Sequence, residues 1–373
     1  MGRVRGAHRR RPNRRVGGLL LGFVLFVVLV VVVLAGPVRE PREELPAARS
    51  TAGPSEPSEP SERSEPSERS EPSTVEQPVA GTSPYAGVGT WLSRYRFTRE
   101  FGGEAPPVTP ADVDAMADAG VRTLYLQPAA DDPRYPGLLS TDLLGEFIVR
   151  AHARDMQVVA WYLPRFGNID GDLRRLQAIG AFRVDGQGFD ALAVDIEFTD
   201  AVALAPRNEA LLDLSRQLRA ALPDVELGAI VLPPVVTDLL NTAYWPDFPW
   251  RELRDLYDVW LPMAYWSNRS EEGFTDPYWY VGENIARVRR HLDDPCAVVS
   301  VIGGYDLQET AEDYRAMARA ATEQQAIGIS IWDWPTTPSS AWPVVQGYPV
   351  VGQAVDGASE PCSRTSAGDP DGG

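Results

Sequence analysis

The chain has 373 residues, a formal net charge of −17 and 33 prolines. All 35 basic residues are Arg, which excludes a Walker-type phosphate loop, a Schiff-base lysine and a lysine general base. The acidic balance argues against a nucleic-acid partner, and three His with two Cys argue against His- or Cys-rich metal sites, Ser-His-Asp triads and Cys-His pairs. We expect neither a metal nor a cofactor.

The N-terminal region predicts a membrane segment. Residues 1–15 contain seven Arg and no acid, and residues 16–35 contain neither a charged nor a polar side chain. Such a stretch can cross about 30 Å of hydrocarbon as a helix. The Arg cluster predicts a cytoplasmic tail, a single-pass signal anchor and an extracytoplasmic remainder, in contact with the bilayer through residues 16–35. The alternatives are a signal peptide cleaved after Ala35 and a twin-arginine export signal, which the following residues fit poorly.

Residues 36–83 predict a disordered stalk. They hold almost no large apolar side chain and include six Ser-Glu-Pro or Ser-Glu-Arg triplets between Ser55 and Pro72. Such a segment cannot bury a core and stays solvated. In an extended, polyproline-like form, at about 3.1 Å per residue, it would hold the next domain on the order of 100 Å from the bilayer. A flexible tether with no required reach is the alternative.

Residues 84–352 alternate short apolar runs with amphipathic stretches. The pattern predicts strands at 87–93, 121–127, 156–163, 189–197, 226–232, 257–265, 297–304 and 326–332. It predicts helices at 110–119, 141–154, 170–181, 207–221, 249–255, 280–292 and 309–324. This repeat is typical of an α/β fold of the (β/α)8 TIM-barrel type. A doubly wound open sheet is the alternative, but no Gly-rich phosphate turn follows the first strand.

The predicted fourth strand carries two acids on one face. In residues 191–198 the even-numbered positions are Leu, Val, Ile and Phe, and the odd-numbered positions are Ala, Ala, Asp and Glu. The bulky apolar set must pack under the helices, so Asp195 and Glu197 are predicted to point into the mouth of the barrel. Two neighbouring carboxylates repel one another, which raises the pKa of one of them. A carboxyl that stays protonated in this way can protonate a glycosidic oxygen. The alternative is a solvated pair, or a pair bound to Arg94 or Arg165.

Aromatic side chains concentrate at the same ends of the other strands. Aromatic faces around a carboxylate suit stacking against sugar rings. The alternation places Tyr125, Gln127 and Tyr265 on inward faces, and Trp332 on the side where small residues leave room. We predict that substrate is bound by Trp332, Tyr125, Gln127, Trp91, Tyr162 and Trp266.

These residues resemble a known family. The segment from Gly188 to Glu197 resembles the fourth-strand signature of the family 18 chitinase-like glycoside hydrolases. That signature has a first Asp, further Asp residues three and five positions after it, and a Glu seven positions after it. The run from Pro262 to Trp266 resembles that family's Met-x-Tyr motif, and Ile331-Trp332 resembles its eighth-strand Trp. Fold and activity are implied by this resemblance: a TIM barrel that cleaves glycosidic bonds, with the substrate's acetamido carbonyl as nucleophile.

The resemblance also implies roles for individual residues. Glu197 would be the acid/base, Asp195 its partner that orients the acetamido group, and Tyr265 a hydrogen-bond donor to the acetamido oxygen. Trp332 would form the floor of a sugar subsite. The chain has Ala193 where the family has its middle Asp, and barrels that lose motif residues often only bind sugar. A catalytically inactive carbohydrate-binding or scaffold barrel is therefore an alternative function.

Two further alternatives concern the chemistry. Hydrolysis by two carboxylates would need a second inward acid about 5–9 Å from Glu197, and the candidates are Asp131, Asp132 and Asp306. Asp333 alternates to the face opposite Trp332, so it is not taken as a candidate for the second carboxylate. The family 25 lysozymes also carry Asp-x-Glu on the fourth strand, but they have an Asp on the first strand, and residues 87–91 contain none.

The end of the chain predicts a disulfide and a tail. Cys296 precedes the seventh strand and Cys362 follows the last apolar segment, and an exported domain meets oxidising conditions. We predict a Cys296–Cys362 disulfide and a C-terminal tail over residues 353–373. Taken together, the sequence predicts a monomeric, membrane-anchored, extracytoplasmic glycoside hydrolase. Its expected partner is a polysaccharide containing N-acetylglucosamine, either wall peptidoglycan or chitin-like material.

Overall fold

The computed structural model describes residues 82–199, 203–271, 273–305 and 308–349. Each predicted strand is present. The strands are β1 (Gly87–Leu92), β2 (Thr123–Leu126), β3 (Gln157–Tyr162), β4 (Ala191–Ile196), β5 (Leu227–Val231), β6 (Val259–Pro262), β7 (Ser300–Gly303) and β8 (Gly328–Ile331).

A helix follows each strand, and the seven predicted helices are confirmed. The helices are α1 (Asp112–Asp118), α2 (Thr141–His152), α3 (Ile169–Ala181), α4 (Leu204–Ala221), α5 (Trp250–Leu253), α6 (Pro277–Leu292), α7 (Ala311–Glu323) and the short α8 (Trp342–Val345). Local chemistry fixes several helix starts. Asn168 caps α3 through its side chain, and Thr310 and Asp313 form a capping box at α7.

The strands form one parallel sheet in the order β6-β5-β4-β3-β2-β1-β8-β7. β6 and β7 meet through two parallel bridges, Trp260 to Val299 and Met263 to Ile302, so the sheet nearly closes on itself. The predicted (β/α)8 TIM barrel is therefore confirmed, and the open doubly wound sheet is not the fold of this chain.

Alternate residues of each strand fill the barrel interior. The register pairs Trp91 of β1 with Tyr125 of β2, and their rings stack with centroids 4.0 Å apart. A Cβ atom at Gly89, two residues before Trp91, would lie 2.6 Å from the Tyr125 ring. Glycine at this position gives the two large rings the space they occupy, so the interior is packed rather than open.

Tyr85 closes the amino end of the barrel. Its hydroxyl donates a hydrogen bond to the Leu192 carbonyl at 2.8 Å, and its own carbonyl accepts one from the Ser300 hydroxyl at 3.0 Å. A Cβ atom at Gly228 or Gly328 would lie 2.8 Å or 2.2 Å from Tyr85. Gly228 of β5 therefore makes room for the Tyr85 side chain, and Gly328 of β8 makes room for its backbone carbonyl.

The carboxyl ends of the strands carry the longer connections. Short helical turns lie after β1 (Arg94–Phe97 and Arg99–Gly102), after β5 (Val236–Leu240) and after β6 (Trp266–Asn268). In a parallel barrel these ends meet at one rim, and the active site of such a fold lies there.

Several predictions fall on residues that the structure does not describe. The tail over 1–15, the membrane segment over 16–35, nearly all of the stalk over 36–83 and the tail over 353–373 lie outside the described residues. Within the described part of the chain, none of the helices has both the length and the apolar composition that crossing a bilayer requires. Cys362 also lies outside it, so the Cys296–Cys362 disulfide stays a prediction.

Candidate active site

Strand β4 carries its two acids toward the barrel axis. Leu192, Val194 and Ile196 are fully buried on the helix-facing side. Asp195 is 6% exposed on the opposite face, and Glu197 follows at the strand end, where it is partly exposed. The alternation predicted from the sequence is thus the alternation in the structure, and both carboxyl groups lie at the mouth.

The two carboxyl groups hold a proton near neutral pH. Burial, followed by the charge of Glu197, raises the pKa of Asp195 well above its usual value. Burial raises the pKa of Glu197 to about 7. Oδ1 of Asp195 is buried and accepts no hydrogen bond from the described residues. The pair therefore combines a proton donor with a buried acceptor atom that the protein itself leaves unpaired.

Two tyrosines lie close to the acids. Burial and then the charges of Glu197 and Asp195 raise the pKa of Tyr265 well above 10, so its hydroxyl stays protonated. The Tyr305 ring lies 5.3 Å from the Tyr265 ring. The backbone N–H of Tyr305 donates to both Glu309 carboxylate oxygens, at 3.2 and 3.1 Å. Tyr305, which was not among the predicted residues, therefore belongs to the mouth.

Three tryptophans form a cup beside the acids. Trp91, Trp161 and Trp332 contact one another, with ring centroids 5.9, 6.0 and 5.7 Å apart. The indole N–H groups of Trp91 and Trp161 are buried without a hydrogen-bond partner among the described residues. Trp332 is partly exposed at the rim. We call Trp91, Trp161 and Trp332 the tryptophan cup; Trp161 was not predicted from the sequence.

Tyr125 and Gln127 lie beside this cup. Tyr125 is buried under the Trp91 ring. Gln127 is also buried, and its side-chain oxygen accepts a hydrogen bond from the Arg94 backbone N–H at 3.1 Å. Both residues face the interior as predicted, but they support Trp91 and the loop after β1 rather than line the rim.

Tyr162 and Trp266 lie outside the mouth, contrary to the prediction. The Tyr162 hydroxyl donates to an Asp172 carboxylate oxygen of α3 at 2.6 Å. Trp266 packs edge-on against Tyr314 of α7, with centroids 6.0 Å apart. Each side chain fills the layer between a strand end and a helix, so we leave both out of the candidate site.

The predicted second acids are held by arginines. Asp131 forms an ion pair with Arg175 at 3.2 Å, and Asp132 pairs with Arg134 at 2.6 Å. Both carboxylates are therefore engaged by guanidinium groups rather than free to act beside Glu197. Asp306 lies outside the described residues.

Asp333 has a structural partner of its own. It is buried, accepts a hydrogen bond from the Arg96 side chain at 2.7 Å and another from Thr336 at 2.6 Å. It thereby ties the loop after β8 to the loop after β1. Among the ion pairs of the described residues, none joins Arg94 or Arg165 to Asp195 or Glu197, so the alternative of an arginine-bound pair is not observed there.

Comparison with protein-family models and with curated protein sequences finds no match for this chain. Solved structures share its fold. The spore cortex-lytic enzyme SleL of Bacillus cereus has a TM-score of 0.53 and 12% identity, covering 71% of this chain and 74% of that chain. The glycoside hydrolase domain of PgaB (BpsB) from Bordetella bronchiseptica has a TM-score of 0.50 and 15% identity, covering 70% and 98%.

A third similar structure is the exo-β-1,4-mannosidase Op5Man5 from Opitutaceae bacterium strain TAV5. Its TM-score is 0.52 at 15% identity, over 69% of this chain and 53% of that chain. At such identities the likeness shows a shared (β/α)8 barrel, the architecture in which these three enzymes are built.

Proposed function

We propose that this barrel is a glycoside hydrolase that cleaves a polysaccharide containing N-acetylglucosamine, with the substrate's acetamido group assisting. The observation that carries the proposal is the Asp195–Glu197 pair, which retains a proton near neutral pH beside the tryptophan cup. The fold shared with a spore cortex-lytic enzyme (SleL), a glycoside hydrolase domain (PgaB) and an exo-β-1,4-mannosidase (Op5Man5) supports it.

In this proposal Glu197 acts as the acid. It is the carboxyl at the strand end with a pKa of about 7 and partial access to solvent. In its protonated form it donates to the glycosidic oxygen, and the C–O bond to the leaving sugar breaks. The carboxylate that remains then removes a proton from the water that completes hydrolysis, which restores the acid for the next cycle.

Asp195 and Tyr265 suit an acetamido group. The unpaired Oδ1 atom of Asp195 can accept the acetamido N–H, and the protonated Tyr265 hydroxyl can donate to the acetamido oxygen. Held in this way, the carbonyl oxygen attacks the anomeric carbon as the bond to the leaving sugar breaks. Water then attacks the same carbon and displaces the acetamido oxygen, so no second enzymic carboxylate is needed. The engagement of Asp131 and Asp132 by arginines favours this route over a two-carboxylate route.

The tryptophan cup supplies the sugar contact. Indole faces stack against the C–H faces of pyranose rings, and the buried N–H groups of Trp91 and Trp161 can donate to sugar hydroxyls or carbonyls. A wall peptidoglycan or a chitin-like polymer presents N-acetylglucosamine rings of this kind.

We further propose that the barrel is anchored outside the cell membrane as a monomer. Residues 16–35 would span the bilayer after the basic tail, with residues 36–83 as spacer. Membrane fractionation together with protease accessibility of the barrel in intact cells tests this part. Recovery of the barrel in the soluble cytoplasmic fraction would contradict it.

The activity is tested by incubating the purified chain with chitooligosaccharides and, separately, with peptidoglycan, and by measuring released reducing ends. Glu197→Gln should lower the rate by about 100-fold or more, as loss of a positioned general acid does. Glu104→Gln is the matched control, because it makes the same change at an exposed carboxylate. Equal rates for the two variants would exclude Glu197 as the acid.

A non-catalytic sugar-binding barrel is the second candidate, and Ala193 favours it. This residue is fully buried two positions before Asp195 and supplies no carboxylate to the pair. The second candidate predicts no reducing ends from the unsubstituted chain. It also predicts oligosaccharide affinity that survives Glu197→Gln and falls with Trp332→Ala. Calorimetric titration beside the reducing-end assay separates the two functions.

A further inference from the structure

A second concave region lies on the same rim, among the loops that follow β1, β2 and β3. It is a cavity of about 230 Å³ bounded by Arg94, Tyr95, Phe101, Arg134, Leu163 and Arg165, which we call the arginine cleft. These residues follow β1, β2 and β3. Because the carboxyl ends of parallel strands meet at one rim, the cleft opens on the same side of the barrel as Glu197.

The cleft extends toward the acid through Arg165. The Arg165 guanidinium carbon lies 4.9 Å from the centre of the Phe198 ring, and Phe198 directly follows Glu197 in the chain. Arg165 itself is exposed. Phe198 alternates to the face opposite Glu197, so this contact places Arg165 beside the end of β4 rather than against the acid itself. A glycan lying across the rim would extend from the acid to this guanidinium.

Two of the three arginines in the cleft have no carboxylate partner among the described residues. Arg134 is neutralised by Asp132 at 2.6 Å, and Asp131 is taken by Arg175 at 3.2 Å. Arg94 and Arg165 take part in none of the ion pairs in the described part of the chain, although Arg94 contributes, after Arg134, to the lowered pKa of Asp132. The unpaired cations therefore exceed the unpaired anions here, although the chain as a whole carries a formal net charge of −17.

Neighbouring aromatic side chains hold the Arg94 guanidinium in place rather than leave it free in solvent. Its backbone N–H donates to Gln127, and its guanidinium lies 4.8 Å from the Tyr95 ring and 4.9 Å from the Phe101 ring. One terminal nitrogen donates to the Tyr95 hydroxyl at 3.2 Å, while the Nε atom is buried and has no hydrogen-bond partner. A planar cation stacked on aromatic rings, with a donor unused, is suited to a carboxylate.

We infer that the arginine cleft is a subsite for a sugar that carries a carboxylate, and that Arg94 and Arg165 bind this group. The inference rests on the proposed function, because it names the class of glycan that the same mouth would take. The aromatic and aliphatic sides of the cleft contact the sugar ring, and the two guanidinium groups contact its acid. Replacing this carboxylate by a neutral amide lowers the affinity of the chain for the glycan.

The test is a binding measurement on the chain carrying Glu197→Gln, so that no substrate is consumed. The probes are peptide-free strands that alternate N-acetylglucosamine with a lactyl-ether sugar, the same strands after carbodiimide amidation, and a neutral chitooligosaccharide of equal length. A hyaluronan fragment, with a uronic acid in place of the lactyl ether, shows which carboxylate fits. We expect at least one carboxylate-bearing glycan to bind about tenfold more tightly than the amidated strands and the neutral oligosaccharide.

When Arg94→Gln or Arg165→Gln is introduced into the Glu197→Gln chain, each should remove most of this preference for the carboxylate-bearing glycan. The affinity for the neutral oligosaccharide should stay the same. Arg216→Gln, at an exposed arginine on α4, is the matched control and should keep the preference. The preference should also shrink as salt is raised, since partly exposed charges are screened. Because Arg165 is exposed, its variant keeps the test valid if Arg94→Gln impairs folding.

Equal affinity for acidic, amidated and neutral glycans would overturn the inference, as would a preference that survives both arginine variants. These outcomes are separable from those for the proposed function. Lack of turnover by the unsubstituted chain, with the preference intact, would overturn hydrolysis alone. Turnover without any preference would overturn the carboxylate subsite alone.

Discussion

Replacing Glu197 by Gln should stabilise the folded chain at alkaline pH and leave its stability at acidic pH unchanged. Burial raises the pKa of this carboxyl from 4.5 to about 7, so folding opposes its ionisation. A neutral amide of nearly the same shape avoids that cost. The same carboxyl that serves as the proposed acid is thus a source of instability when it is ionised.

The size and the pH range follow from the pKa. Each pKa unit corresponds to about 1.4 kcal/mol, so the shift to about 7 costs about 3 kcal/mol when the group is ionised in both states. Below about pH 4.5 the carboxyl is protonated in the folded and unfolded chains, and the cost is absent. Between about pH 4.5 and 7 the folded chain holds more protons than the unfolded chain, so stability falls as pH rises. Above about pH 7 the full cost applies.

The measurement is the free energy of unfolding by denaturant at pH 4, 6 and 8, for the unsubstituted chain, Glu197→Gln and the exposed control Glu104→Gln. The Glu197→Gln gain should be near zero at pH 4 and about 3 kcal/mol at pH 8. The control should change little at any pH. A gain below about 1 kcal/mol at pH 8, or an equal gain at pH 4 and pH 8, would refute the reasoning, because the carboxyl would then be well solvated in the folded chain.

Three more outcomes are expected. Release of reducing ends should decline as pH rises above about 7, because Glu197 loses the proton it donates; a constant rate from pH 6 to 9 would contradict this. Tyr162→Phe should destabilise the chain by about 1–3 kcal/mol, because the buried Asp172 loses a hydrogen bond of 2.6 Å. Glycan affinity, measured by titration, should not change in that variant. Gly89→Ala should lower the free energy of unfolding by about 1–3 kcal/mol, since its Cβ would lie 2.6 Å from the Tyr125 ring; unchanged stability in denaturation would show that the ring can move aside.

The fold and the acid pair could be predicted because polar residues mark one face of β4. Ala191, Ala193, Asp195 and Glu197 share a parity opposite to the large aliphatic side chains, so only one orientation buries the aliphatic set. The strand and helix positions followed from the same contrast between apolar runs and amphipathic stretches.

Strand β3 lacks such a marker. Its residues 158–162 are all apolar or aromatic, as is common in parallel strands that are covered on both faces. Alternation alone therefore does not decide between Trp161 and Tyr162. The register decides it, since Trp161 pairs with Ala193 and so shares the inward face of β4. Register depends on contacts between distant segments, which the pattern within one strand does not contain.

Tyr305 and Trp266 depend on the backbone beyond the strand ends. Gly304 has a φ of 70°, which ends the alternation after β7 before Tyr305. Trp266 begins a 3-10 turn after β6 and packs against Tyr314 instead of the mouth. Aromatic residues at the ends of strands indicated that the rim is aromatic, but local backbone geometry determined which of them face it.

The buried Tyr85 limits how a polymer can approach the acids. Its hydroxyl and carbonyl form hydrogen bonds with β4 and β7, and the Tyr125 and Trp91 rings pack above it. A glycan chain cannot pass lengthwise along the barrel axis, because Tyr85 blocks the amino end of the barrel. A glycan must instead lie crosswise over the open end, and both fragments of a severed strand leave by the side on which the intact one arrived.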